Sequence, residues 1–195
     1  MGPEPTIATA LADEQDHVIT TLVLAFMGDP AVRRNLYPDP RQYLTHFGPF
    51  AKAFAGKAFA LGTADWIAGA GAALWLPPDV HPDDDALIAL LRETVEVEQH
   101  AETFQIFDEM AAYHPSEPHW YLPLIGVDPW LHRRGHGAAL LRHALRRCDH
   151  DRALAYLESS NPANIPLYER HGFALLGTIR VGTMEPMFPM LRRPH

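Results

Sequence analysis

Residues 127–138 read VDPWLHRRGHGA, with Gly135 and Gly137 separated by a single residue. Glycines let the main chain turn sharply and point successive N–H groups inward, and a helix starting near Ala138 adds its positive dipole end. Such a loop is a site for an anion, reinforced by the cations Arg133 and Arg134. It is not a Walker A loop, since no Lys-Ser/Thr follows the glycines, and G-x-G-x-x-G fails because Leu140 stands where the last glycine belongs. Nucleoside triphosphates and NAD are therefore disfavoured. Taken alone, Gly-x-Gly between a strand and a helix is as readily a tight turn as a binding loop. The histidines, including His100, His114 and His171, lack metal-ligand spacing, and no metal is expected.

VDPWLHRRGHGAALL resembles the acetyl-CoA motif of the GNAT N-acetyltransferase superfamily, a Gln/Arg-x-x-Gly-x-Gly/Ala loop after a Val-x-Pro strand end. Two registers fit. Counting from Val127 and Pro129 puts His132 at the Gln/Arg position with Gly135 and Gly137 as the glycines; Arg134-x-x-Gly137-x-Ala139 fits the bare pattern two residues on. The first is adopted, which makes His132 a departure from the family pattern. A second block, YLESSNPANIPLYERHGF over 156–173, is similar to the family's later motif, with Asn164 and Tyr168 four residues apart. Across nearly its whole length the chain looks most like the group containing puromycin N-acetyltransferase, on AFMGDPAVRR, HWYLPLIGVDP and ESSNPANIPLYERHGF.

The resemblance implies a mixed sheet of six or seven strands, splayed between the fourth and fifth, with acetyl-CoA wedged in the gap. Main-chain groups of Ile125 and Val127, on either side of Gly126, would pair with pantetheine amides as an added strand would. The N–H groups of Arg133, Arg134, Gly135, His136, Gly137 and Ala138, with the His132 side chain in doubt, would hold the pyrophosphate. Asn164 would contact pantetheine and Tyr168 would sit at the sulfur. A phenol of unperturbed pKa about 10 can return a proton to a thiolate of about 8.5 to 9; the competing role is an aromatic that packs a helix onto the sheet. A base for the acceptor amine is harder to find, because many relatives carry a Glu on the fourth strand and HWYLPLIGV has none. His119, Tyr121, Asp108, Glu109, Glu158 or water are the candidates. Phe26, Trp66, Trp75, Phe104, Phe107 and Trp120 offer aromatic surface for an acceptor pocket or simply fill the core.

The elements that must position these groups follow from periodicity and punctuation. A short strand over 6–11 precedes a helix capped by Asp13, with Val18, Leu22, Ala25 and Phe26 on one face and Gly28-Asp29-Pro30 after it. Tyr43, Phe47, Phe50, Ala51 and Phe54 indicate a second helix that Gly48-Pro49 would kink or split. Strands over 57–63 and 66–76 with a turn near Ala64-Asp65 read as a hairpin, Gly69 and Gly71 marking a weak point or bulge in the second. Apolar spacing over 83–113 predicts two helices. Then come a strand over 119–127, a helix over 138–148, a strand over 153–158, a helix over 163–171 closed by Gly172, and strands over 173–181 and 187–191. The class is α/β or α+β, with a mostly antiparallel first half and a βαβ-like centre.

With 195 residues, 47% of them hydrophobic, the chain is long enough for one core, and a single domain over 1–195 is expected. The formal charge of −8 argues against a general nucleic-acid binder. It is unevenly spread: residues 1–130 carry 6 basic and 19 acidic side chains, net −13, and 131–195 carry 10 and 5, net +5. An anionic ligand on the C-terminal third and a cationic or neutral amine on the acidic part would suit that division. Cys148 is the one cysteine, which excludes an internal disulfide and suits a reducing cytoplasm. No secretory signal or membrane span is expected, and MGPEPT fits a myristoylation pattern only formally, with two prolines. The expectation is a cytoplasmic acetyltransferase that uses acetyl-CoA and releases CoA. Direct transfer in a ternary complex to a small-molecule primary amine is the first reading, because Cys148 lies away from the inferred sulfur site. A peptide or protein N-terminus as acceptor, a non-catalytic CoA-binding module and a homodimeric assembly remain open.

Overall fold

A computed structural model describes residues 5–195; Met1 to Glu4, most of the myristoylation pattern, lie outside the described residues. Seven strands form one sheet in the order β1-β2-β3-β4-β5-β7-β6. They are β1 (Ala8–Thr9), β2 (Ala64–Ile67), β3 (Gly71–Leu76), β4 (His119–Val127), β5 (Leu154–Ser159), β6 (Ala174–Leu175) and β7 (Phe188–Arg192). All neighbours are antiparallel except β4 and β5. The helices are α1 (Gln15–Phe26), α2 (Pro40–Ala55), α3 (Lys57–Ala60), α4 (Asp84–Thr94), α5 (His100–Tyr113), α6 (His136–His150) and α7 (Ile165–Glu169). This is the mixed, helix-flanked sheet that the resemblance implies.

Each face of the sheet buries its own apolar cluster. One joins α1, α2, α4 and α5 to Leu74, Tyr121, Leu124 and Tyr156; the other joins α6 and α7 to Trp75, Leu122, Leu157 and Met190. Strand alternation produces this division, since successive side chains point to opposite faces. In α2, Asp39 Oδ1 caps the Arg41 and Gln42 N–H groups at 2.8 and 3.0 Å, and Pro40 occupies the first turn. The helix runs through Gly48-Pro49 without splitting. Tyr43, Phe47, Phe50 and Phe54 stack along it at 5.1, 5.8 and 5.4 Å between ring centroids, and their burial holds the helix across the one lost hydrogen bond.

Four local expectations are corrected. Residues 57–63 are not a strand: α3 opens the segment, Ala58 is buried, and Thr63 turns back to Ala58 and Trp75 through hydrogen bonds. The hairpin is β2–β3, with Gly69 at φ +66° in the turn, where a left-handed conformation favours glycine. Asp13 does not cap α1 but lies in a 3-10 turn (Ala12–Glu14) whose Glu14 carboxylate accepts from Leu11 N–H at 2.7 Å. Only Ala174–Leu175 of 173–181 and Ala8–Thr9 of 6–11 are strand, because each lies at a sheet edge with one neighbour.

The feature that shapes the rest is in β4. Leu74 pairs with Leu124 and Leu76 with Tyr121, so β4 spends three residue steps where β3 spends two. The extra residue falls at Leu122-Pro123, and proline has no N–H to give a neighbour. Pairing of β4 with β5 stops at the same place, Tyr121 opposite Tyr156. Beyond it the two parallel strands diverge.

Gly126 follows the bulge, facing α1. A Cβ there would meet Ala25 Cβ at 2.6 Å and Phe26 Cε2 at 3.2 Å. Gly126→Ala is expected to cost about 1–3 kcal/mol through overpacking, lowering the thermal midpoint by about 2–12 °C in a melting experiment.

Candidate active site

A cavity of about 900 Å³ runs through the gap between β4 and β5. On the α6 side its wall is the glycine loop, Leu167, Asn164 and Tyr168; on the α1 side it is Phe26, Phe50, Phe54, Phe107 and Met110 with the carboxylates Asp29 and Glu158. The open edge of β4 faces the gap. Asp128 N–H bonds Ala70 on the β3 side, so by antiparallel alternation Ile125 and Val127 turn their N–H and C=O groups the other way. These are the two residues expected to pair with pantetheine amides.

Arg133 at φ +61° and Gly135 at φ +85° curl the loop, and the first intrahelical bond of α6 runs from Ala139 N–H to Gly135 O. The N–H groups of His136, Gly137 and Ala138 therefore precede the helical ladder. His136 Nδ1 is buried in this wall with no hydrogen-bond partner. An orphaned ring nitrogen beside free N–H groups fits a phosphate, and so do the residues around it. Arg133 and Arg170 reach the cavity wall, whereas Arg134 is exposed and does not.

His132 lines the wall in a different way from the family's Gln/Arg. Its Nε2 donates to Val127 O at 3.0 Å, tying the loop to the strand end. With that donor committed to the strand end, Nε2 is not available to a phosphate. The expected side-chain contact is replaced by a brace, and one carbonyl of the open edge is occupied.

Asn164 is exposed at the cavity mouth, and Tyr168 is buried with its ring edge-on to Phe173 at 6.1 Å. Burial, then the charge of Asp29, pushes the Tyr168 phenol above its ordinary value. Burial acts alike on sulfur, for the thiol of buried Cys148 is pushed up to about 12. Cys148 does not line the cavity, and its Sγ bonds Ala144 O.

The base candidates separate clearly. Asp108 and Glu109 lie exposed on α5, opposite the face that buries Thr103, Ile106 and Met110. Glu158 lines the cavity with its side chain 2% exposed, and Tyr121 reaches it by a 2.9 Å hydrogen bond. His119 stands behind them at the start of β4. Of the six aromatic candidates, Phe26 and Phe107 line the cavity; Trp66, Trp75, Phe104 and Trp120 do not. Trp75 and Trp120 face the α6 cluster, as strand parity demands.

Several lining residues carried no signal in the sequence. Asp29 follows α1, accepting from Val32 N–H at 3.0 Å and Ser160 Oγ at 2.6 Å, and burial raises its carboxyl above the usual range. The π-helical turn Val32–Leu36 presents Val32, Asn35 and Leu36 to the cavity. Asn35 is anchored twice to the Glu185 main chain, at 3.0 and 2.7 Å, which holds the segment leading to Met187 over the chamber. Among the described residues no group of three or more His, Cys, Asp or Glu is arranged to hold a metal, and no helix is long and apolar enough to cross a membrane.

Residues 75–173 match the model of the acetyltransferase (GNAT) family. The chain belongs to that family. An uncharacterized N-acetyltransferase of Schizosaccharomyces pombe is 33% identical over 79 residues, 39% of this chain and 32% of the relative, so the match spans about a third of that protein. A crystal structure described as histone acetyltransferase HPA2 and related acetyltransferase from Corynebacterium glutamicum is 25% identical, with TM-score 0.73 over 99% of this chain and 98% of its own. The fold is shared with a Drosophila melanogaster polyamine N-acetyltransferase that forms N-acetylagmatine, at 14% identity and TM-score 0.68 over 96% and 99% of the two chains. It is shared too with Aedes aegypti arylalkylamine N-acetyltransferase 2, at 12% identity and TM-score 0.68 over 99% and 100%.

Gly137 has only Leu167 Cδ2 at 3.6 Å and Val127 Cγ2 at 3.8 Å near its missing Cβ, and its φ is not positive. Gly137→Val should leave the melting temperature of the free protein within a few degrees and abolish most of its rise with CoA, since bulk enters where phosphate approaches the main chain. Gly135→Val, strained by φ +85°, should lower both. Thermal shifts with and without CoA check the pair.

Proposed function

We propose that this chain transfers the acetyl group of acetyl-CoA to the primary amine of a small, largely apolar molecule, directly within a ternary complex. The observation that carries this reading is the cavity through the sheet, which joins an anion-suited loop on one face to an aromatic chamber holding two carboxylates on the other. The loop N–H groups from Arg133 to Ala138, the Ile125 and Val127 main chain, and Asn164 would hold the cofactor. Bound there, acetyl-CoA supplies an acetyl group activated as a thioester. The small-amine relatives that share the fold support the acceptor class.

The acidic charge of residues 1–130 acts only in part at the site. Asp29 is its single carboxylate in the cavity wall, and Glu158 comes from the other third of the chain. Two buried carboxylates among phenylalanines favour a cationic head on an apolar body, an arylalkylamine or an aminonucleoside of the puromycin kind before a diacid. The free thiol of Cys148 suits the cytoplasm. A peptide or protein N-terminus is the second reading; the Corynebacterium neighbour's description, a histone acetyltransferase, favours a protein acceptor without saying which amine. CoA release across a panel of arylalkylamines, polyamines, aminonucleosides, peptides and acidic metabolites tests all of these. Turnover of aromatic amines is expected; turnover of the acids without the amines would overturn the reading.

Tyr168, which lines the cavity, would return a proton to the departing sulfur. Tyr168→Phe removes one hydroxyl and keeps the ring against Phe173. Single-turnover acetyl transfer should fall about a hundredfold to ten-thousandfold, roughly 3 to 5 kcal/mol of barrier, with acetyl-CoA affinity nearly unchanged. A wild-type single-turnover rate would make Tyr168 a packing residue; lost binding would assign its hydroxyl to cofactor recognition.

A further inference from the structure

The aromatic half of the cavity recognises shape more than polarity. Leu36, Phe50, Phe54, Phe107, Met110 and Met187 stand in this part of the wall. The uncharged polar side chain among them, Asn35, is engaged at both ends of its amide: Nδ2 donates to Glu185 O at 3.0 Å, and Oδ1 accepts from Glu185 N–H at 2.7 Å. A body entering here meets side chains that are almost all carbon and sulfur, so bodies are told apart by how far the wall lets them reach.

Helix α5 runs along this chamber and gives it a scale of length. His114, at its C-terminal end, has Nε2 3.3 Å from Oε1 of Glu158, the carboxylate on this face of the sheet. Met110 stands one turn earlier, and Phe107, seven residues before His114, lies about 10 Å back along the helix at 1.5 Å per residue. Phe107 differs from its neighbours in the wall. Ile106 and Met110 are 4% and 7% exposed, and Phe50 and Phe54 are 4% and 7%, all within the core. Phe107 is only partly buried, Asp108 and Glu109 after it are exposed, and its ring meets Phe54 edge-on at 6.1 Å between centroids. It lines the chamber at the border between the buried stripe of α5 and the solvent face. Phe26, also partly buried in the wall, lies instead against Gly126 of β4 and Phe47.

We propose that Phe107 is a specificity-determining residue whose ring ends the acceptor chamber and limits the length of the apolar amine it takes. This rests on the amine-acetylation reading above. With the ammonium at the carboxylate end, a short arylalkylamine lays its ring among Phe54, Met110 and Phe107. A longer one must displace the Phe107 ring or hold its amine short of the thioester. Truncating Phe107 removes that stop, and enlarging it brings the stop closer. Because Phe107 lies outside the fully buried stripe, replacing it costs the fold less than replacing Phe50 or Phe54.

Phe107→Ala, Phe107→Leu and Phe107→Trp test this with a ladder of benzylamine, phenylethylamine and phenylbutylamine. The quantity read is the ratio of kcat/KM for phenylbutylamine to that for phenylethylamine, in which a general loss of activity or of folded protein cancels. Phe107→Ala should raise the ratio about tenfold or more, since one methylene accepted or refused by an apolar pocket discriminates by about 10–200-fold. Phe107→Leu should raise it less, and Phe107→Trp should lower it and favour benzylamine; both keep a large apolar side chain, so the ratio can be read even where alanine costs too much stability. A ratio that none of the variants moves, with the amines still acetylated, overturns the assignment of Phe107 and leaves the reading of function standing. Calorimetry of the same amines on protein saturated with CoA separates the other failure. Affinities that follow the ladder and shift with the variants, in a protein that acetylates no amine, would remove the acetylation reading and keep Phe107 as the end of an amine-binding chamber; affinities that ignore the variants, or amines that do not bind, overturn it.

Discussion

A parallel strand pair that stops pairing half-way is the constraint on which everything else depends. Pro123 has no N–H, β4 accommodates it by one extra residue against β3, and from that point β4 and β5 separate. Main-chain groups that would have bonded β5 are left facing a cavity, where unpaired N–H and C=O groups would cost free energy unless something polar takes them. The opening is thus also a recognition surface. A ligand that presents amides in an extended chain would complete the sheet.

The two faces of the sheet give the two ends of that opening different chemistry. On the α6 side, Arg133 and Gly135 in left-handed conformations and the start of α6 concentrate N–H groups, and the His132 ring braces the loop against the strand. On the opposite side, α1, α2 and α5 supply phenylalanines, and the only charges in the wall are the carboxylates of Asp29 and Glu158. A thioester held in the gap and an amine in the chamber would meet between Tyr168 and Glu158.

Glu158 is a buried carboxylate that a strand other than the fourth brings to the cavity wall. Strand alternation turns Tyr156 and Glu158 to the same face as Tyr121, and α5 ends with His114 beside them. The result is a buried polar cluster at the cavity wall, in which Glu158 Oε2 takes the Tyr121 hydroxyl while Glu158 Oε1 and the Tyr156 hydroxyl have no hydrogen-bond partner.

Local sequence determined the elements whose signals are local. The apolar run of β4 sets that strand over the residues expected, Gly135 and Gly137 mark the turn into α6, and Asn164 and Tyr168 come one helical turn apart. Periodicity likewise separated α4 from α5, whereas Asp108 and Glu109 stood as base candidates until the structure put them on the solvent side of α5. It failed where two states were locally equivalent: the alanines of residues 57–63 suit a helical turn as well as a strand, and only the Thr63 bonds to Ala58 and Trp75 select the turn. Tertiary structure alone decided which aromatics fill the core and which line the cavity, since Trp75 and Phe54 are equally apolar. It also decided that Asp29, 131 residues from Ser160, would share a hydrogen bond with it in the cavity wall. Residue type and spacing announce a group's chemistry, but the partners that set its proton, its exposure and its direction come from distant parts of the chain and exist only once the sheet has closed around them.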